Sequence, residues 1–320
     1  MSQKKLISLI IPVYNEEENI YPLYDAVIPI IDRCASLYNF ELVFTDNHSS
    51  DSTFEKLTDL SLRDSRVRVC RFSRNFGYQK SILAGYLKAN GDAIIQLDCD
   101  LQDPPELIFE FLKHWEQGYK VVYGIRISRE EGAFIKFCRK VFYRVANYLS
   151  GGELPVDVGD FRLIDRNIVD VLRLTEDMQP YLRGMISCMG FKQCGIKYHR
   201  SSRVRGKSNF SFKDLLSLAL DGIFNYSVIP LRLASFFGFS VSVITVACII
   251  GYGLGKVIYG VDWPNGFTTL TILILTGISM NALFLGIIGE YLGRIYQQVK
   301  KKPLVIVEAE LNAQAHPNVE

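Results

Sequence analysis

The sequence predicts an α/β protein with a mostly parallel sheet, extended by amphipathic helices at a membrane interface and by two transmembrane α-helices. Two observations predict this class. Short apolar runs alternate with helical patterns over residues 1 to 165, and two long uncharged stretches follow between 229 and 292. The mean hydropathy of +0.12 agrees with a membrane-embedded part. With 320 residues, 48% of them hydrophobic, the chain can bury a core in about two domains.

Charge balance and cysteine usage exclude several classes of protein. The 36 basic and 34 acidic residues leave a net charge of +2, which argues against a nucleic-acid binder and makes any basic function local. The seven cysteines form no C-x-x-C pair, which predicts reduced thiols and no zinc site. Lys4 and Lys5 precede an apolar run, but no cleavage site follows, so the run is interpreted as a strand rather than a signal peptide.

Five apolar runs are the candidate strands of the sheet. They are LISLIIPV (6–13), FELVFTD (40–46), RVRVCRF (66–72), DAIIQLD (92–98) and YKVVYGI (119–125). Each is too apolar for a half-exposed strand, which is typical of a parallel sheet covered on both faces. Ligands bind beyond the carboxyl ends of such strands. The candidate site residues are those directly after the runs: Tyr14, Asn15, Glu16, Asp46, Asn47, Ser73, Arg74, Asp98, Cys99, Asp100 and Arg126.

Two segments have an amphipathic helical pattern. In residues 134–149 the apolar side chains share one face, while Lys136, Arg139, Lys140 and Arg144 lie off it. Residues 211–228 carry a similar apolar stripe just before the first uncharged stretch. A basic amphipathic helix suits an anionic membrane surface, and packing against the α/β domain is the alternative for both segments.

The two uncharged stretches are interpreted as membrane spans. Residues 233–255 contain 23 residues without a charge and residues 263–289 contain 27. A 23-residue helix is about 34 Å long, enough to cross the roughly 30 Å hydrocarbon core of a bilayer. Arg294 and three lysines at 300–302 follow the second stretch, which predicts cytoplasmic termini. A pair of buried core helices is the alternative.

A pair of aspartates marks a candidate metal site in LDCDLQDPPE (97–106). Asp98 and Asp100 follow a predicted buried strand, where both carboxylates can face one cation, and Gln102 can add a carbonyl oxygen. Mg²⁺ or Mn²⁺ is bound by a few carboxylates together with substrate phosphate oxygens. The pattern therefore predicts a divalent cation shared with a diphosphate, although acidic turns with no ligand have the same pattern.

Two further clusters carry candidate binding residues. In TDNHSSDST (45–53), Asp46 can accept hydrogen bonds from a nucleotide base or ribose, while the Ser and Asp residues that follow can cap a helix. In IKYHRSSRVRGKSNF (196–210) the basic residues are Lys197, Arg200, Arg203, Arg205 and Lys207. Because this run precedes an amphipathic segment, a phosphate at lipid head-group level is its predicted target, and Arg126 could join it. A solvated basic face is the alternative.

Taken together, these motifs resemble the family 2 inverting nucleotide-sugar glycosyltransferases of GT-A (Rossmann-like) fold, and within them the polyprenyl-phosphate glycosyltransferases. The resemblance is carried by IPVYNEEENI, TDNHSSDST, RNFGYQKSILAG, LDCDLQDPPE, VDVGDFRLIDR, VRGKSNFS and GEYLGRIY. One departure is that Asn47 stands where the family has a second aspartate, so its contribution to base or ribose recognition is open. The Q-x-x-R-W motif of processive relatives is absent, which implies single transfer.

The resemblance implies a role for each candidate residue. The donor nucleotide would lie against Pro12, Tyr14, Asn15, Glu16, Asp46, Asn47, Lys80 and Asp98, and the metal on Asp98, Asp100 and Gln102. The acceptor phosphate would lie near Arg126, Arg200, Arg203, Arg205, Lys207 and Ser208. Asp157, Asp100 and Asp160 are the candidate catalytic carboxylates, with Asp157 as the base or as the group that orients the acceptor.

The resemblance also implies an activity and a place in the cell. We expect transfer of glucose from UDP-glucose to undecaprenyl phosphate with inversion, at a bacterial inner membrane. The expected parts are a cytoplasmic catalytic domain (1–210), a juxtamembrane helix (211–228), two spans (229–292) and a cytoplasmic tail (293–320). Mannosyl or other hexosyl transfer, a lipid-linked sugar flippase or carrier, and an anchored nucleotide sensor are the alternatives. Gly277, Ser279, Gly286 and Gly289 would allow close helix packing in a homo-oligomer.

Overall fold

The computed structural model describes residues 4–127, 158–175, 177–178, 180–199, 266–300 and 302–313, with 236–241 and a few scattered positions between 231 and 258. The chain divides into two compact units. One comprises Met1–Asn147, Gly152–Asp214 and Lys302–Glu320, and the other comprises Tyr148–Gly151 and Leu215–Lys301. The first unit contains the sheet and all of the candidate site residues that the structure describes.

Within the first unit the described strands form one eight-stranded sheet in the order β7-β5-β6-β4-β1-β2-β3-β8. The strands are β1 Lys5–Val13, β2 Tyr38–Asp46, β3 Val67–Phe72, β4 Ala93–Gln96, β5 Val121–Ile127, β6 Val158–Asp165, β7 Gln193–His199 and β8 Val307–Leu311. The pairs β1·β2, β1·β4, β2·β3 and β5·β7 are parallel. The pairs β3·β8, β4·β6 and β5·β6 are antiparallel, so the sheet is mostly parallel.

Six helices follow or connect these strands among the described residues of the first unit. They are α1 Ile20–Cys34, α2 Thr53–Arg63, α3 Tyr78–Lys88, α4 Leu107–Glu116, α5 Arg166–Leu174 and α6 Leu182–Cys188. In β1, Ile7, Leu9, Ile10 and Ile11 are all fully buried, although successive side chains point to opposite faces of the sheet. Both faces of the central strand are therefore covered, as a parallel sheet requires.

The structure confirms the five predicted strands, which correspond to β1 through β5 with bounds shifted by three residues or fewer. It adds three strands that the sequence pattern did not indicate. β6 inserts between β4 and β5, β7 extends the sheet beyond β5, and β8 pairs with β3 at the opposite edge. The segment expected to be only a C-terminal tail, 293–320, thus contributes an edge strand to the sheet.

The second unit contains α7, a helix of 33 residues from Phe267 to Val299. Across the residues that the structure describes, no helix combines the length and the apolar character needed to cross a membrane. The prediction of an inner-membrane protein with two spans and cytoplasmic termini is therefore wrong. In α7 the polar residues Ser279, Asn281 and Glu290 divide the apolar sequence. The amphipathic segments at 134–149 and 211–228, and most of 233–255, lie outside the described residues.

Candidate active site

Asp46, the last residue of β2, lies in the interior of the candidate site. Its side chain is fully buried, and its Oδ1 accepts a hydrogen bond of 2.9 Å from the backbone N–H of Ser49. The backbone between them turns sharply, since His48 has a φ of 63°. The backbone N–H of Asn47 donates to the carbonyl of Val13 at the end of β1, 3.0 Å away. The carboxyl ends of the two neighbouring strands are thus joined.

The loop after β1 is joined to the same turn. The backbone N–H of Asn15 donates to Ser49 Oγ (2.9 Å), and Asn15 Oδ1 accepts from the N–H of Ser50 (2.8 Å). The N–H of Glu16 donates to Thr53 Oγ1 (2.9 Å). These bonds hold Asn15 in a left-handed conformation, with a φ of 53°. Tyr14 is left 40% exposed beside them, while Pro12 is buried in β1 opposite Thr45.

Asn47, which stands where the family has a second aspartate, supports the third loop of this edge. Its buried side chain accepts, through Oδ1, a 2.9 Å hydrogen bond from the backbone N–H of Phe76. Gly77 follows with a φ of 95°, and α3 begins at Tyr78. Lys80 lies in the first turn of that helix and is half-buried; burial and the nearby Arg74 lower the pKa of its ammonium group. The amide of Asn47 therefore fixes the position of this loop.

Asp98 lies just after β4 and is contacted by two side chains that the sequence did not single out. Its Oδ1 accepts hydrogen bonds from the Tyr78 hydroxyl (2.5 Å) and from Gln96 Nε2 (2.8 Å). Burial, together with the negative charges of Asp103, Asp100 and Asp160, raises the pKa of Asp98 to about 6. The site therefore concentrates negative charge around Asp98.

Asp100 and Gln102 are both buried in the turn that follows. Asp100 Oδ1 accepts a hydrogen bond of 3.2 Å from the backbone N–H of Gln102, and Leu101 between them has a φ of 54°. This turn places Asp100 near Asp98. In the part of the chain that the structure describes, no three His, Cys, Asp or Glu side chains are arranged to hold a metal ion by themselves.

Asp103 is fully buried and links the aspartate turn to two strands. Its Oδ1 accepts from the Tyr198 hydroxyl of β7 (2.5 Å), and its Oδ2 accepts from Arg126 Nη2 of β5 (3.2 Å). Arg126 Nε also donates to the Tyr198 oxygen (3.1 Å). Gly159 gives the guanidinium room, because a Cβ there would lie 2.7 Å from Arg126 Nη2. Arg126, predicted to bind the acceptor phosphate, is thus oriented toward the aspartate turn.

Asp160, on β6, is paired with an arginine of α6. Arg183 donates through Nε to Oδ1 (3.0 Å) and through Nη2 to Oδ2 (2.7 Å). Burial alone would raise the pKa of Asp160, but the charges of Arg183, Arg162 and Arg126 lower it to about 2. A carboxylate this acidic is a poor proton acceptor near neutral pH. The geometry favours a positioning role for Asp160.

The structure brings together Asp98, Asp100, Asp160, Gln102 and Arg126, and it adds residues that sequence reasoning missed. These are Tyr78, Asp103, Arg183 and Tyr198. Asp103 lies within LDCDLQDPPE and Tyr78 within RNFGYQKSILAG, so both belong to motifs that the sequence already indicated. Asp157 and the predicted acceptor residues Arg200, Arg203, Arg205, Lys207 and Ser208 lie outside the described residues.

The sheet order and the cluster of carboxylates beyond the carboxyl ends of β1, β2 and β4 define an α/β enzyme of the GT-A glycosyltransferase class. The family model described as Glycosyl transferase family 2 matches residues 8–173, a stretch that includes β2, β4, most of β1 and most of the site. The chain belongs to this family and is a sugar-transferring enzyme.

Two relatives are similar over nearly their whole length. The chain is 39% identical to an uncharacterized glycosyltransferase, YkcC, of Bacillus subtilis, over 96% of this chain and 95% of that protein. It is 36% identical to a prophage bactoprenol glucosyl transferase homolog of Escherichia coli, over 94% of this chain and 98% of that protein. Both alignments extend well beyond the family-matched region.

Solved structures are similar to this chain at lower identity. Glucosyl-3-phosphoglycerate synthase of Mycobacterium tuberculosis is 18% identical, with a TM-score of 0.43, over 69% of this chain and 78% of that one. Mannosyl-3-phosphoglycerate synthase of Rubrobacter xylanophilus is 16% identical, with a TM-score of 0.46, over 72% of this chain and 74% of that one.

Proposed function

We propose that the enzyme transfers glucose from UDP-glucose to a polyprenyl phosphate in a single step with inversion at the anomeric carbon. One observation carries the proposal: the likeness to a protein named as a bactoprenol glucosyl transferase homolog extends over 94% of this chain. The carboxylate cluster and Arg126 supply a chemically suitable site. A phosphate oxygen of the acceptor attacks the anomeric carbon, the bond from that carbon to the UDP oxygen breaks, and UDP leaves with the bonding electrons.

A divalent cation, Mg²⁺ or Mn²⁺, suits this cluster on charge. Asp98 and Asp100 would hold it, with the amide oxygen of Gln102, and the donor diphosphate would complete its coordination, since these ions commonly keep substrate phosphate oxygens as ligands. The bound cation would neutralise charge on the departing UDP. The negative charges that raise the pKa of Asp98 to about 6 are the feature of this site that favours a cation.

The chain's own residues have separate tasks in this scheme. Asp46, with the loop residues Tyr14, Asn15 and Glu16, would bind the nucleoside, and Lys80 would lie near the phosphates. Arg126, held by Asp103 and Tyr198, supplies a fixed positive charge beside the diphosphate or the acceptor phosphate. Arg200, Arg203, Arg205, Lys207 and Ser208 are proposed to hold the acceptor phosphate on the strength of the motif.

Asp157 is proposed to orient the acceptor rather than to act as an obligatory base. A phosphate monoester has a second pKa near about 6 and is therefore largely a nucleophilic dianion at neutral pH. Asp160 is already held as an anion by Arg183. An Asp157→Asn variant with a normal rate would support acceptor orientation without proton transfer, whereas loss of activity that depends on pH would support a base.

A donor panel tests the proposal directly. Purified enzyme in detergent is given undecaprenyl phosphate, Mg²⁺ or Mn²⁺ and one radiolabelled nucleotide sugar at a time, and label in the acid-labile lipid fraction is counted. UDP-glucose should give the highest rate. Transfer from a mannose donor would replace the proposed sugar, and no label from any donor would overturn the proposed lipid acceptor.

Matched variants separate the metal residues from general effects of charge. Asp98→Asn and Asp100→Asn should each lower turnover by roughly a hundredfold or more, the scale of losing one strong electrostatic contact in the transition state. Asp170→Asn is the control, because Asp170 pairs with Arg173 on the exposed surface of α5. Equal activity of all three variants would contradict the assigned metal residues.

A further inference from the structure

The C-terminal strand β8 carries an acidic side chain to the candidate donor-binding edge. β8 runs antiparallel to β3, with Ala309 opposite Arg71. Glu308 Oε2 lies 3.2 Å from Arg71 Nε and 3.2 Å from His48 Nδ1. His48 follows β2 and Arg71 lies next to the end of β3, so Glu308, more than 200 positions further along the chain, contacts both.

Arg71 lies between two carboxylates and hydrogen-bonds only one of them. Its Nε is 3.2 Å from Glu308 Oε2 but 3.8 Å from Asp46 Oδ2, beyond hydrogen-bonding distance. Its guanidinium lies over the ring of Phe54, 4.3 Å from the centroid, which holds the group in place. Glu308 therefore takes the hydrogen bond that Asp46 would otherwise receive.

The consequence is an unpartnered acceptor inside the candidate site. Asp46 is fully buried, and its Oδ2 accepts no hydrogen bond from any residue that the structure describes. A buried carboxylate oxygen without a hydrogen-bond donor raises the free energy of the folded protein, so its presence calls for an explanation. A ligand that donates a hydrogen bond to it would supply one. Oδ1 of the same carboxylate is already occupied by the N–H of Ser49.

We propose that Glu308 is a positioning residue for donor recognition, which holds Arg71 away from Asp46 so that Asp46 Oδ2 can accept a hydrogen bond from a nucleobase N–H. The inference rests on the proposed function, because it assigns Asp46 to the donor nucleotide. The ligand class is a base that presents an N–H on its pairing edge. Uracil has a hydrogen on N3, whereas N3 of cytosine carries a lone pair that a carboxylate would repel.

Nucleotide binding to the full chain tests this without relying on turnover. UDP and CDP are titrated calorimetrically into wild-type enzyme, Glu308→Leu and Glu310→Leu. Glu310 is the matched control, because it lies on the same strand but pairs with Lys88. Leucine has no oxygen to accept from Arg71, so we expect Glu308→Leu to weaken UDP binding roughly tenfold, the scale of one hydrogen bond, and to leave CDP binding unchanged. Glu310→Leu should bind both nucleotides as the wild type does.

A double variant distinguishes positioning from loss of local structure. In Arg71→Met/Glu308→Leu no guanidinium remains to close on Asp46, so UDP affinity should recover to within about threefold of wild type. A double variant as weak as Glu308→Leu, or equal loss of UDP and CDP affinity, would overturn the inference. Wild-type enzyme that binds UDP no better than CDP would also overturn it. Wild-type enzyme that binds neither nucleotide would instead overturn the proposed donor.

Discussion

Arg183 contacts both carboxylate oxygens of Asp160, with Nε 3.0 Å from Oδ1 and Nη2 2.7 Å from Oδ2. The pair joins α6 to β6 behind the aspartate cluster, and Gln79 Nε2 of α3 lies 3.5 Å from Oδ2. A two-point contact of this kind is stronger than a charge pair with a single hydrogen bond. The pair keeps the negative charge of Asp160 near Asp98, while Arg183 neutralises that charge from the side away from Asp98.

Removal of Arg183 should destabilise the enzyme, because it leaves a buried carboxylate without its main partner. We expect Arg183→Gln to lower the free energy of unfolding by about 3 kcal/mol at pH 7, as measured by urea denaturation. Arg173→Gln is the control, since Arg173 and Asp170 are each 53% exposed and such pairs contribute less than about 1 kcal/mol. Equal unfolding midpoints for the two variants would contradict the buried-pair assignment.

The pair of Asp160 and Arg183 also predicts how the free energy of unfolding depends on pH. The pKa of Asp160 is lowered to about 2 in the folded enzyme, against about 3.9 in an unfolded chain. The stabilisation is therefore complete above about pH 4 and is lost as pH falls from there toward about 2. The difference in unfolding free energy between wild type and Asp160→Asn should shrink over that window. A difference that stays constant from pH 5 to pH 2.5 would contradict the lowered pKa.

The contribution of Asp98 to stability should have the opposite pH dependence, because the pKa of Asp98 is raised to about 6. A carboxyl group with a raised folded pKa stabilises the fold below its unfolded pKa and costs stability as pH rises through about 6. Asp98→Asn keeps an oxygen that can accept from Tyr78 and Gln96 and removes the charge. In the presence of a chelator, we expect a higher melting temperature at pH 8 for this variant, together with lost activity. The Asp170→Asn control should melt as the wild type does, and a lower melting temperature for Asp98→Asn would contradict the prediction.

The hydroxyl of Tyr198 offers a test of how Arg126 is held. It donates to Asp103 and accepts from Arg126, so Tyr198→Phe should free Arg126 to move and lower kcat more than it raises the KM for the donor. Tyr21→Phe is the matched control, because it removes a tyrosine hydroxyl bonded to the more exposed Asp59. Steady-state kinetics of both variants check this, and equal kcat values would show that the Tyr198 hydroxyl has no part in turnover.

The central sheet could be predicted because its signal is local. β1 to β5 are continuous apolar runs, and a strand buried on both faces must have such a sequence. β6 and β8 could not be found in this way, since their pairing depends on partners distant in sequence. β8 begins at Val307 and pairs with β3, which ends at Phe72. The two uncharged stretches gave the wrong result for the membrane, since no helix among the described residues is long and apolar enough to cross one.

The candidate site was predictable where the chemistry lies in one motif. Asp98, Asp100 and Gln102 are close in sequence, and the chain turns after β4 so that they stay close in space. Tyr78, Arg183 and Tyr198 come from α3, α6 and β7 and meet the site only after folding. A pairing such as Arg183 with Asp160, 23 residues apart, leaves no periodic signal in the sequence. Their roles follow from charge and hydrogen bonding in the folded chain.

A substitution at Gly91 should destabilise the sheet and leave its active edge unchanged. Gly91 precedes β4, and a Cβ there would lie 2.6 Å from Ser8 Oγ and 2.7 Å from the Ser8 nitrogen. Ser8 Oγ donates to Glu41 (2.5 Å), which is also held by Arg68 (2.7 Å), so an added methyl group would disturb a buried polar network. We expect Gly91→Ala to cost about 2 kcal/mol or more in unfolding free energy.

The control for that substitution is Gly118→Ala, where φ is +87° and a Cβ would meet nothing within 4 Å. Its cost should be about 1 kcal/mol, from backbone strain alone. The KM for the donor should be unchanged in both variants, because Gly91 lies before β4 and Asp98 lies after it, at opposite ends of the strand. Chemical denaturation and donor kinetics on the same preparations check both parts. A Gly91→Ala enzyme as stable as Gly118→Ala would show that the buried polar network accommodates the methyl group. A raised KM for the donor in Gly91→Ala would show that the disturbance reaches the active edge.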